Sequence, residues 1–183
     1  MKYLLLICIL YPLSFLAQEE EAGKYLKLYE RYRDEKKYDS VVIICKQLIA
    51  LDKSITKEHH LEYQLAYAAF ESKQYDLAVK QAKKLIPNIY IQAQAHWNRK
   101  CLEKNMRCRI LCSELTSYYN QTGNVKKEYR YLSLMVRKFN CAGCGTGRSG
   151  WYISGYNRMI ACSNELGKTK RAKRLEKQRD KIE

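Results

Sequence analysis

Cys141 and Cys144 form a C-x-x-C pair, Cys141-Ala142-Gly143-Cys144, followed by Gly145. Two thiols at that spacing reach each other around a turn, and several kinds of chemistry use the arrangement. A zinc knuckle aims both sulfurs at one metal and needs two further ligands. Cys108 and Cys112, four apart and so on one face of a helix, are placed to complete such a four-thiolate set. A thioredoxin-like redox pair needs a strand–turn–helix setting, which the flanking sequence lacks. A disulfide to Cys101, Cys108, Cys112 or Cys162 would fasten this segment to a helix, and reduced structural thiols are the remaining outcome. Haem attachment is excluded because Gly145, not His, follows Cys144. The expectation is a structural tie among Cys108, Cys112, Cys141 and Cys144, with no cofactor and no resident metal.

The same segment continues Gly145-Thr146-Gly147-Arg148-Ser149-Gly150, a literal G-x-G-x-x-G. A dinucleotide site also needs a preceding strand and a later acidic residue within a βαβ unit, and here a helix precedes. What survives is a small-anion contact at Arg148, where backbone N–H groups open a helix. His59 and His60 are adjacent and His96 is remote, without the spacing of a metal-binding helix. Carboxylates are plentiful, yet none sits in an acid–base motif. No catalytic residue is assigned, and an enzyme is not expected.

These residues must be held by helices. Among 183 residues there are 8 Gly, 2 Pro, 16 Tyr and 34 Lys and Arg, a balance against turn-rich β folds. Residues 1–17 read as a secretory signal peptide: Lys2, an apolar run from Tyr3 to Leu16, then Ala17 before Gln18 and three glutamates. Cleavage after Ala17 gives an exported chain, periplasmic or extracellular; retention as an anchor is the alternative. Export makes disulfides chemically permitted, and the seven cysteines left after removal of Cys8 are an odd number.

From there apolar residues recur at helical spacing. Tyr25, Leu28, Tyr29 and Tyr32 mark one face, Asp34 to Lys37 a turn, and Tyr38, Val41, Val42, Cys45, Leu48 and Ile49 a second face. The plan returns with Leu65, Ala66, Ala69 and Phe70, a turn at Glu71 to Gln74, then Tyr75, Ala78, Val79, Ala82 and Leu85. A third pair turns at Gly123-Asn124, with Glu128 where a small residue is usual. A degenerate fourth breaks at Gly167 and has Ala172 as its small residue.

This arrangement resembles the tetratricopeptide repeat, in which antiparallel helix pairs of about 34 residues stack. LEYQLAYAAFESKQYDLAVKQAKKLIPN carries the resemblance most closely. It implies an all-α, TPR-like solenoid of antiparallel helix pairs, irregular in its second half. The expected organisation is two pairs over 18–88, an additional helix (Gln92 to Lys104) and third pair over 89–139, a Cys/Gly-rich loop over 140–150, and a final pair with a basic tail over 151–183.

The formal net charge is +15. Lys168 to Glu183 holds eight basic and three acidic residues, and Lys127-Glu128-Tyr129-Arg130-Tyr131 interleaves tyrosine with charge. Outside the cytosol such charge favours an anionic envelope component or acidic partner, and peripheral membrane contact, over nucleic acid. The expected function is an exported, non-catalytic scaffold that binds a protein, peptide or envelope component on its concave helical surface. Two alternatives stay open: a thiol- or zinc-dependent enzyme centred on the C-x-x-C loop, and a nucleic-acid-binding module if the leader is not one.

Overall fold

Lys36, Lys73, Gly123 and Gly167 share a left-handed backbone, with φ of 55°, 61°, 69° and 67°. Each stands two residues before a helix begins. The next residue in each turn donates its N–H back to a carbonyl five residues earlier: Lys37 to Tyr32 at 2.9 Å, Gln74 to Ala69 at 2.8 Å, Asn124 to Tyr119 at 2.8 Å and Lys168 to Ser163 at 2.7 Å. The left-handed residues themselves bond three residues back, to Arg33, Phe70, Asn120 and Asn164. Together these bonds are the Schellman closure, which satisfies carbonyls that a helix end otherwise leaves open. Four copies of one closure mark four copies of one hairpin plan.

The computed structural model describes residues 20–93, 99–137 and 148–181. Among them the chain is all-α, with no strand. Helix α1 covers 20–34, followed by α2 (Tyr38–Leu51), α3 (Lys53–Glu58), α4 (Leu61–Glu71), α5 (Tyr75–Ala93), α6 (Arg99–Gln121), α7 (Val125–Arg137), α8 (Arg148–Glu165) and α9 (Thr169–Arg179). The four turns and the starts of α2, α5, α7 and α9 fall where helical spacing places them.

Four features depart from the sequence reading. Of the additional helix expected over Gln92 to Lys104, Gln92 and Ala93 belong to α5 and Arg99 to Lys104 to α6, while 94–98 lie outside the described residues. Between Arg99 and Gln121 neither Gly nor Pro interrupts helical propensity, so one helix of 23 residues forms. Pro87 lies inside α5 and removes a backbone donor without ending the helix. The short α3 fills the connection before α4, capped by the Asp52 carboxylate, which accepts from the N–H groups of Ser54 and Ile55. Gly145 to Gly147 and both cysteines of the C-x-x-C pair lie outside the described residues, as do 1–17, but Arg148 to Gly150 belong to α8 rather than to a loop.

The chain divides into two compact units, one ending at Gln81 inside α5 and the other starting at Ala82. In the first, α2 packs on α4 and α3 touches both. Tyr29, Val42, Cys45 and Leu48 are buried, as are Leu61, Leu65, Ala66 and Ala69. Tyr38 meets Tyr67 edge-on, centroids 6.2 Å apart. Gln74 donates to Asp39 at 2.9 Å, joining the second turn to the start of α2.

In the second unit α6 packs on α7, α7 on α8 and α8 on α9. Leu111, Leu115, Leu132, Met135, Met159 and Leu175 fill its interior, each contributing about 2 kcal/mol by removal from water. Helices α7 and α8 approach closely at Gly155, where a methyl group would lie 2.7 Å from Val136 Cγ2. Tyr119 of α6 and Tyr131 of α7 stack at 5.7 Å.

Candidate functional site

Val41, Ala78, Glu128 and Ala172 occupy one place in the hairpin plan, three residues into the second helix. All four are interior, 2%, 0%, 1% and 3% exposed. A carboxylate in such a position needs a partner, because an unpaired buried charge costs far more than any single apolar contact returns. Arg158 of α8 supplies it with a two-pronged bond: Nε donates to Oε1 at 2.6 Å and Nη2 to Oε2 at 2.8 Å. Its third nitrogen, Nη1, reaches Glu165 at 3.3 Å, which anchors the pair towards solvent. The Glu128 hydrogen bond raises the Arg158 pKa further, so the guanidinium is permanently charged. The departure of Glu128 from the small residue of the plan is thus a lock between α7 and α8.

That lock holds α7 beside a groove of about 790 Å³ whose walls are α7 and α9, the second helices of their pairs. Lys126, Lys127, Arg130 and Arg137 line it from α7, and Lys168 and Arg171 from the α9 side. A smaller depression of about 380 Å³ extends it along α9 to Arg174 and Gln178. No carboxylate among the described residues lines either cavity. Among the described residues none of these seven cations is paired with Asp or Glu. Leu134, Leu166 and the Tyr129 ring give the groove an apolar component.

Its arginines are held by rings and amides. The Arg171 guanidinium carbon lies over the Tyr129 ring, 5.2 Å from the centroid, and Arg130 lies over Tyr131 at 5.9 Å. Arg137 donates to Gln178 at 3.2 Å across the groove. Stacking uses the flat face of a guanidinium and leaves its in-plane donors for an anion. Nearby, Lys127 and Lys83 lie over the Tyr119 ring at 5.3 and 5.7 Å, and a hydrogen bond with Tyr119 raises the Lys83 pKa.

The residues singled out from sequence fare differently. Cys108 and Cys112 do share one face of α6, and it is an interior face: both thiols are free and buried, as are Cys45 and Cys162. Neither Cys108 nor Cys112 is bridged in this structure, where both fill the helix seam as small apolar bodies; the tie expected from the sequence runs from them to Cys141 or Cys144. Burial pushes Cys45 and Cys108 up to about 12 and Cys112 higher still, while Cys162, buried beside Glu128, rises to about 11. Thiols shifted upward hold their protons and are poor nucleophiles and poor metal ligands. Among the described residues no three His, Cys, Asp or Glu side chains cluster as a metal site requires. Cys141 and Cys144 lie outside the described residues. Arg148 is the first residue of α8, with its side chain outside the described set.

Both basic segments noted in the sequence contribute to the groove, yet nothing in the sequence joins them. Tyr129 and Arg130 meet Lys168 and Arg171 only because α8 packs against both α7 and α9. No motif marks Arg158, the partner of Glu128; its signal in the sequence is Glu128 itself, a carboxylate at a position that must be buried. A comparison with protein-family models, curated proteins and solved structures finds no match to this chain.

Proposed function

We propose that the chain is an exported, non-catalytic binding scaffold of the tetratricopeptide type, which holds an anionic protein or envelope component in the groove between α7 and α9. The observation that supports this most is the lining of that groove: cations from two helices, held in place by aromatic rings, with no carboxylate among the described lining residues. Unpaired like charges repel, so gathering them lowers the stability of the free protein and suits a surface completed by an opposite charge. Export rests on the leader-like run ending at Ala17. Among the described residues no helix is long and apolar enough to cross a membrane.

The test is affinity capture from the native envelope fraction with the unaltered chain and with an Arg137→Glu/Arg171→Glu variant, read by mass spectrometry. Partners retained by the first and lost by the second support the reading. Identical recovery with both sinks the assignment of the groove. Intact-mass measurement of natively expressed protein should find its N-terminus near Gln18, whereas a product retaining Met1 would contradict cleavage.

A further inference from the structure

We infer that the groove recognises an internal acidic stretch of polypeptide, about five residues long, carrying two or more side-chain carboxylates and one aliphatic residue. This rests on the proposed binding role and narrows its ligand. Length comes first. From Lys168, which caps α9, to Gln178 is ten steps of about 1.5 Å along the helix, so the trough runs about 15 Å. An extended chain advances about 3.3 Å per residue, so about five residues fit.

Chemistry comes second. The cations form two rows: Lys126, Arg130 and Arg137 on α7, and Arg171 and Arg174 on α9 with Lys168 at its cap. Side chains of an extended peptide point alternately to opposite sides, so successive acidic residues meet one row and then the other. Arg171, stacked on Tyr129, presents the planar fork that matches a carboxylate with two parallel bonds. Arg137 is already steadied by Gln178 from the opposite wall.

Shape decides between a peptide and an anionic membrane. A flat bilayer surface engages cations on a protruding face and is strengthened by apolar side chains at the rim that dip into it. Here Leu134 and Leu166 line the recess with the cations. The large exposed hydrophobic residues among those described are Ile43 and Met106, neither of which borders the groove. A recessed leucine pair between charged rows accepts one aliphatic side chain flanked by acids.

The experiment is fluorescence anisotropy of the purified chain with a labelled octapeptide, blocked at both ends, in which four Asp and Glu residues surround a central leucine. Blocking the ends ensures that only side-chain carboxylates are read. Saturable binding is expected, weakening at least tenfold as salt rises from about 0.05 M to about 0.5 M. Arg171→Gln and Arg137→Gln should each weaken it about tenfold with an unchanged circular dichroism spectrum, while Lys46→Glu, exposed on α2, should change it less than threefold. The amide counterpart of the peptide should not bind. Equal binding of that counterpart, equal loss in Lys46→Glu, or absence of peptide binding alongside groove-dependent binding to anionic phospholipid vesicles overturns the inference. Groove-dependent affinity capture without peptide binding would leave the scaffold reading standing and remove only the acidic peptide.

Discussion

Arg158 grips Glu128 through two nitrogens at 2.6 and 2.8 Å, and the two residues sit in the seam of α7 and α8. Glu128 is almost wholly enclosed while Arg158 is 35% exposed along its side chain, so the pair spans from interior to surface. This asymmetry fixes what mutation should do.

Arg158→Ala strands a buried carboxylate, and the expected loss is about 3–5 kcal/mol in urea unfolding at neutral pH. Glu128→Ala restores the small residue that Ala78 and Ala172 provide in the other pairs and frees only the more exposed partner, so its loss should be well below that of Arg158→Ala. The double variant should resemble Glu128→Ala. Equal losses in both single variants would show that the pair does not lock the helices through buried charge.

The four turns share one backbone closure but place different residues in its left-handed position. Lys36 and Lys73 do so against the steric preference of an L-residue, whereas Gly123 and Gly167 do so freely. Lys73→Gly should therefore stabilise the protein by about 0.5–1 kcal/mol, and Gly123→Ala should destabilise it by about 1 kcal/mol. Thermal unfolding monitored at 222 nm checks both, and the opposite sign in either case would contradict the shared turn geometry.

At Gly155 the obstacle is space. A Cβ there would stand 2.7 Å from Val136 Cγ2, so Gly155→Ala should cost about 1–3 kcal/mol through overpacking. Val136→Ala removes the obstructing atom and should recover part of that loss in the double variant, giving a favourable coupling in a double-mutant cycle. Strict additivity would place the contact elsewhere.

Stability should also fall in alkali. Burial raises Cys45 and Cys108 from near 9 to about 12 and Cys162 to about 11, and the same cause lifts Tyr67 to about 12. The folded chain therefore holds these protons more tightly than the unfolded chain does. Their stabilising contribution is complete below about pH 9 and is lost as pH rises from there through about 11 and 12. Urea midpoints should be level near neutrality and decline above about pH 9, less steeply when Cys108 is replaced by Ala. A midpoint unchanged up to pH 11 would be incompatible with buried thiols.

Helix pairing was legible in the sequence because it depends on local rules. Apolar spacing located both faces of the first two pairs, and turn residues located all four breaks. The Ala66, Ala69, Ala78 and Ala82 set pointed to close packing, and all four are fully buried. Helix limits were less legible: Pro87 and the absence of breakers in α6 act over single turns, and continuation past them depends on the helix as a whole. The groove was not legible as a site. Its cations come from segments about 40 residues apart in the chain, and their meeting requires an intervening helix whose packing on both neighbours no spacing rule encodes. The thiols taught the reverse lesson, since spacing on one helical face is the same for ligands and for core residues, and only burial distinguishes them.

The repeated turn closure also bears on how quickly the chain acquires its structure. Each closure spans six residues, and in the second unit every helix packs on its immediate neighbour in sequence. Little loop entropy must be surrendered before a contact forms, and topologies of this kind cross their folding barrier in microseconds to milliseconds. Synthesis adds residues far more slowly, at about 5–20 per second, so the first hairpin has time to close before the last has been made.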